Sequence, residues 1–342
     1  MNDQKQMAGK ASLRFQRPPV IAAAACVAGR KEGEGPLGPL YDQVDESDFF
    51  GADSWEKAES AMQKRAAQLA LKKGNASPDQ VRYLFAGDLL GQLIATSFGT
   101  MELGIPLFGL YGACSTMGEA LCLGAMTVNA GYGDQVMAMT SSHFATAEKQ
   151  FRFPLAYGNQ RPLSATWTVT GCGSLLLTPW GSEGLARIPA VTVGRIEDLG
   201  IRDSMNMGAA MAPAAFHTIE QNFLDLGVDE TWYDQIITGD LGMIGSRILL
   251  DLMKEKGRNL KGIHRDCGCL VYHNRRQDTH SGGSGCGCSA LVLCAYILPK
   301  IRSGEWKRVL FVPTGALLST VSFNEGQSIP GIAHGVVIEG MR

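Results

Sequence analysis

A chain of 342 residues, 45% hydrophobic and 19% charged, is long enough for two domains or two fused halves and too apolar to remain disordered. Its formal net charge of -2 removes the electrostatic reason to bind nucleic acid, and none is expected as a partner. Nine cysteines, odd in number and set in apolar or glycine-rich runs, fit reduced intracellular thiols better than a disulfide framework.

The first apolar run, VIAAAACVAG (Val20 to Gly29), follows Arg14 and Arg17 in the manner of a secretion signal. Pro18 and Pro19 before it, and the turn-rich KEGEGPLGPL after it, favour a buried first strand instead. Trp55, Ala58, Met62, Ala66 and Leu69 recur at steps of three or four and predict a helix closed by Gly74. VRYLFAGDL, residues 81 to 89, is a short apolar run that delivers Asp88 to a loop. YGACSTMGEA, Tyr111 to Ala120, then places Cys114 at the start of a buried helix pattern. The run from Cys114 to Val128 contains Glu119 and is shorter than the ~20 residues a membrane span needs, so no segment is expected to cross a bilayer.

Later segments repeat earlier ones in the same order. AAFHTIEQNFLDLG carries Phe216, Ile219 and Phe223 on one helical face, ends at Gly227, and leads into DQIITGDL, residues 234 to 241, as the first helix leads into VRYLFAGDL. NAGYGDQVMAMTSS (Asn129 to Ser142) resembles RSGEWKRVLFVPTGA (Arg302 to Ala316), and VTGCGSLLL (Val169 to Leu177) resembles GIAHGVVIE (Gly331 to Glu339). Helices alternating with apolar strands, twice over, predict two similar α/β halves with mainly parallel buried sheets, residues 1–190 and 191–342.

A cysteine opening a buried helix in the first half of a duplicated α/β chain resembles the thiolase-like fold of thiolases and ketoacyl synthases. GACST, AGDLL, TSSHFATAEKQFRFP, DLGI, MGAAMAPAA, TGDLG, DCG, GGSGCGCSA, PTGALLS and IAHGVV together resemble, over nearly the whole chain, the stage V sporulation protein AD family. The resemblance implies a peripheral protein of the spore inner membrane, facing the cytoplasm. It implies binding of dipicolinic acid (pyridine-2,6-dicarboxylate) or its calcium chelate, a part in its uptake into the developing spore and its release in germination, and the SpoVA channel proteins as partners. A homodimer is expected from the fold, in which a central strand pairs across a two-fold axis. No cofactor is implied, and calcium enters only with the ligand.

A thiolase-type enzyme needs a thiolate, which a helix N-terminus favours, and a His, or a His and an Asn, to take the thiol proton and hold the oxyanion. Cys114 meets the first need. The two loops that supply the others in ketoacyl synthases align with TGDLGMIG and SGGSGCG, where Asp240 and Gly283 or Ser284 stand instead. No catalytic residue is therefore assigned, although a Cys-dependent acyltransferase and a purely structural subunit remain the rival readings. The candidate ligand set is Cys114, Ser115, His143, Arg152, Asp240, Asp266, Ser284 and His334.

Within that set, His143 and Arg152, with Lys149 and Arg161, belong to the polar, aromatic and basic segment Ser141 to Pro162, read either as meeting a dianion or as a solvated loop. His334 in IAHGVV is either a buried histidine bonded to backbone, a ligand contact or a base. Asp266 in DCG is the acidic residue favoured for a functional contact, while Asp88 and Asp240 also fit as loop caps. The pairs Cys267 with Cys269 and Cys286 with Cys288 are spaced too closely for a usual zinc knuckle and read as small-residue packing. GGSGCGCSA lacks the acidic residue that would follow a dinucleotide fingerprint.

Overall fold

The computed structural model describes residues 6–151 and 160–341. Ten strands form its spine: β1 (Val20–Ala28), β2 (Tyr83–Gly87), β3 (Leu107–Gly109), β4 (Val136–Ser142), β5 (Gly171–Thr178), β6 (Ala186–Thr192), β7 (Gln235–Thr238), β8 (His264–Asp266), β9 (Arg308–Val312) and β10 (Gly335–Glu339). They run in the order β8-β7-β9-β10-β6-β1-β5-β4-β2-β3. Pairing is parallel at the two ends, where β2 joins β3 and β4 and β7 joins β8 and β9, and antiparallel through the middle.

This order has an internal symmetry. Reading inward from the edges, β3, β2, β4, β5 and β1 answer β8, β7, β9, β10 and β6. Each of the three repeated sequence segments falls on such a pair, β2 with β7, β4 with β9 and β5 with β10, so the duplication in the sequence is a duplication in space. Residue 190 lies inside β6, which pairs with β10 on one side and β1 on the other. The secretion-signal-like run is β1, almost wholly buried, where small alanines let flanking helices approach.

Helices cover the sheet: α1 (Trp55–Lys73), α2 (Ile94–Thr100), α3 (Thr116–Asn129), α4 (Phe144–Phe151), α5 (Met207–Leu226), α6 (Gly242–Glu255) and α7 (Cys286–Val292). The Ser54 side chain caps α1 by accepting from the Lys57 amide. Gly227 closes α5 at φ +66, as a helix-ending glycine commonly does, whereas Gly74 after α1 is right-handed and is small for another reason. A Cβ there would stand 2.7 Å from the Leu176 side chain. α3 and α7 are largely buried, and Met117, Leu121, Leu291 and Val292 belong to one continuous core.

Candidate functional site

Cys114 sits in a single 3-10 turn, Ala113–Ser115, that feeds directly into α3. Ala113 is left-handed at φ +49, a conformation that costs an alanine roughly 1 kcal/mol and here turns the next side chain out of the helix path. The turn is locked by its own hydroxyls: Ser115 Oγ donates to the Gly112 carbonyl at 2.7 Å and Thr116 Oγ1 to the Ala113 carbonyl at 2.6 Å. Gly315, just beyond β9, lies against the same turn. A Cβ on it would meet the Gly112 carbonyl oxygen at 2.4 Å, so only glycine permits that approach.

A cavity of about 40 Å³ opens over Cys114, walled by Leu89, Tyr111, Phe151, Met207, Ser284 and Leu318 among others. Its lining is predominantly apolar, and past Phe151 the chain continues into residues 152–159, outside the described residues. Cys286, at the start of α7, packs in the same small cluster as Cys114, Leu89 and Ala147. The starts of α3 and α7 thus face each other, each with a cysteine.

Asp240 is the polar group beneath the cysteine. It is 1% exposed, and its carboxylate accepts from the Gly285 amide at 2.9 Å, from Thr314 Oγ1 at 2.8 Å and from the Cys114 thiol. Burial pushes its pKa up to about 7 against the pull of those donors. Burial also raises the Cys114 thiol well above its ordinary value, and the Asp240 charge adds to the effect. The sequence argument that the helix start would favour a thiolate is therefore outweighed. First-turn amides contribute about 0.3–1 kcal/mol, while a carboxylate ~4 Å away opposes ionisation by about 4 kcal/mol at an effective dielectric constant of ~20. Cys114 is a protonated donor.

Of the predicted site residues, Cys114 and Ser284 line this cavity, Asp240 is bonded to the Cys114 thiol without lining it, and Ser115 is buried next to Cys114 in the turn. The other described ones have separate work. His143 accepts from the Ala145 amide through Nδ1 and so donates from Nε2 to the Asp48 carbonyl at 2.8 Å, tying the loop before α1 to the start of α4. His334 accepts from the Gly194 amide through Nδ1, and burial lowers its pKa to about 4, so it is a neutral ring bonded to backbone. Asp266 accepts from Thr238 Oγ1 and from the amides of Leu241 and Gly242, which fastens the start of α6. Neither histidine nor Asp266 lines the cavity. Arg152 lies outside the described residues. Lys149 pairs with Glu56, and Arg161 with Asp278 while stacking over Trp167.

Sequence reasoning missed Thr314, Gly285 and the apolar wall. Gly285 has φ +100, and its amide bridges Asp240 to the cysteine side of the cavity. Its position in SGGSGCG was legible as a loop, but nothing in one sequence marks which glycine turns an amide inward. All nine cysteines are free; Cys286 Sγ donates to the Ser141 carbonyl at 2.8 Å and Cys288 Sγ to the Gly239 carbonyl at 3.6 Å.

The family model of stage V sporulation protein AD matches residues 9–339. The chain belongs to that family. It is 43% identical over 334 residues to stage V sporulation protein AD of Bacillus subtilis (strain 168), covering 98% of both chains. Its fold is that of the thiolase-like enzymes. 3-Oxoacyl-acyl-carrier-protein synthase III from Aquifex aeolicus VF5 superposes with a TM-score of 0.56 at 13% identity, over 94% of this chain and 99% of the other. OleA from Xanthomonas campestris, solved with lauric acid and lauroyl-CoA, superposes with a TM-score of 0.59 at 13% identity, over 95% and 99%. The tetronic acid condensing enzyme AbyA1 gives 0.58 at 15% identity, over 94% and 100%. Among the described residues, no helix is long and apolar enough to cross a membrane.

Proposed function

We propose that this family member binds dipicolinic acid, free or as its calcium chelate, in the cavity over Cys114, and that Cys114 lines the site without forming an acyl-enzyme. The observation that carries the non-catalytic part is Asp240 seated against the thiol. A carboxylate at about 7 is too weak a base to take the proton of a thiol that burial holds well above its ordinary value, so the proton stays on sulfur. The cavity is narrow, so a pyridine ring requires the Phe151, Met207 and Leu318 side chains to draw back. Its carboxylates would meet the Ser284 hydroxyl in the cavity wall, with Arg152, one residue beyond Phe151 in the sequence, proposed as the positive partner.

In the cell this reading places the protein on the spore inner membrane beside the SpoVA channel proteins, passing dipicolinate during spore formation and germination. It also makes the protein a homodimer. What supports the dimer is the edge strand β3, whose Leu107 and Phe108 are exposed and whose outer backbone has no neighbouring strand among the described residues. Calorimetric titration with dipicolinate, with and without calcium, tests the ligand. Absence of heat under both conditions refutes it, and a monomer by light scattering at micromolar concentration refutes the dimer.

The rival reading, a Cys-dependent acyltransferase, is favoured by one observation, the left-handed Ala113 that presents Cys114 at a helix start. Repeated release of CoA from acetyl-CoA, with acyl-Cys114 seen by mass spectrometry, would establish it in place of the binding reading.

A further inference from the structure

On one side the pairing of β1 is interrupted. β5 pairs with it from Val20 to Ala28, but on the other side β6 reaches only Val20 and Ile21, and the two-residue strand Gln43–Val44, parallel to β1, reaches only Val27 and Ala28. From Ala22 to Cys26 that side has no strand beside it among the described residues. The open edge lies between two helical layers: Ala23, Ala25 and Val27 pack with α1, and Ala24, Cys26 and Ala28 with the helical run from α7 to Arg302. A cleft of about 630 Å³ opens on it, at the end of the sheet where the parallel strands begin, opposite the loops that carry Asp88 and Cys114. Ala22, Ala24, Lys73, Leu185, Cys294 and Arg302 are among its lining.

Two side chains stand in for the missing strand. Lys73 Nζ donates to the Ala24 carbonyl at 3.0 Å, Asp42 Oδ2 accepts from the Cys26 amide at 2.9 Å, and the two side chains are paired with each other. One residue of a parallel strand does the same with its backbone, donating its N–H to one carbonyl and accepting from the amide two residues further on. The register of Gln43–Val44, continued backward, would set Tyr41 in that place, opposite Ala25. Tyr41 instead turns its amide to the Gly38 carbonyl, in the 3-10 turn Gly38–Leu40. The position is held by an ion pair whose side chains are 44% and 25% exposed, within reach of a competitor from solvent.

We propose that this edge is a docking slot for the C-terminal end of a partner protein, bound as an extended strand parallel to β1. The incoming strand prolongs the register in which Gln43–Val44 already lies, which sets its direction. Asp42 and Gln43 occupy the next positions, so a chain in this register has to stop opposite Ala25. Its last N–H replaces Lys73 at the Ala24 carbonyl, and its terminal carboxylate replaces Asp42 at the Cys26 amide. Lys73, released, pairs with that carboxylate, and Asp42 turns to solvent. At about 3.3 Å per residue the gap takes about four residues. The charge suits an anionic end: Lys73 and Arg302 line the cleft with a single acid, Glu183, and Arg302 makes no ion pair among the described residues.

The test uses the full chain and an array of synthetic hexapeptides whose last four positions vary over Val, Ile, Thr, Leu, Phe and Glu, each made with a free carboxyl end and as the amide. Fluorescence anisotropy should find free-carboxyl peptides that bind at least about ten times more tightly than their amides. With 15N-cysteine labelling, the Cys26 amide, assigned by Cys26→Ser, should shift on binding while the Cys114 amide stays in place, which separates this slot from the cavity. Asp42→Ala removes the competing carboxylate and should bind the same peptides about three to ten times more tightly, with its fold confirmed by circular dichroism. No binder in the array, equal binding of acid and amide, an unmoved Cys26 amide, or an Asp42→Ala protein that binds no more tightly would each overturn the proposal. If Asp42→Ala does not fold, the comparison of acid with amide and the Cys26 shift decide.

Discussion

Replacing Asp240 by Asn should convert Cys114 from an inert donor into an ionisable thiol. The side chain keeps its shape and its place between Gly285 and Thr314, but the charge that opposes the thiolate is gone and an amide N–H is available to face it. Removing a unit charge ~4 Å away in surroundings of effective dielectric constant ~20 is worth about 4 kcal/mol, or about three pKa units at 1.36 kcal/mol each. Burial remains and still raises the thiol, so its pKa is expected to fall by about two to three from the wild-type value. Thiolate absorbance in the ultraviolet, titrated between about pH 7 and 11 and corrected with the matching Cys114→Ser protein, isolates this one cysteine from the other eight. It does not depend on a reagent entering the cavity. Midpoints that agree within about half a pH unit in the two proteins would show that Asp240 does not set the state of Cys114, and the argument against acyl chemistry would fall with it.

Three further outcomes follow from the same geometry. Cys114→Phe should abolish dipicolinate binding with and without calcium while leaving the circular dichroism unchanged; retained affinity would place the ligand elsewhere. Asp266→Ala removes the acceptor for the Leu241 and Gly242 amides and for Thr238, and should cost about 2–4 kcal/mol in urea unfolding with little direct effect on binding at low temperature. Because burial holds Asp240 up to about 7 in the folded chain against an ordinary 3.8, the folded state keeps a proton that the unfolded chain releases. That contribution is fully present below about pH 4 and is lost as pH rises through about 7, with an upper limit of about 4 kcal/mol for a rise of that size. The difference in unfolding free energy between wild type and Asp240→Asn, measured from about pH 4 to 8, should therefore move toward the variant as pH rises, and a difference flat with pH would refute the assignment.

What the sequence disclosed was what repeats and what is periodic. GDL at the ends of β2 and β7 and the apolar steps of α1 and α5 were readable because buried strands and helices impose their own spacing on side chains. The place of Cys114 was readable for the same reason. The roles of His143, His334 and Asp266 were not, since a histidine bonded to a backbone carbonyl and one bonded to a ligand have the same letters around them. Only the placement of Asp48, Gly194 and the start of α6 separates the two. The ion pair beside β1 was equally hidden: Lys73 lies 49 residues from Ala24 and 31 from Asp42, and no local pattern connects them.

The pairing of β2 with β7 gives the molecule its own internal control. Asp88 and Asp240 occupy the same step of the same Gly-Asp-Leu sequence at the ends of matching strands, yet one is sealed by a threonine and the other lies beneath a cysteine. After a duplication, identical residues need not share a fate. Asp88 is held by the loop and helix that follow its own strand, and Asp240 by Gly285, Thr314 and the Cys114 thiol, all from distant parts of the chain. A substitution at one position can thus be judged against the same substitution at the other, with backbone context held nearly constant, which few proteins permit within a single chain.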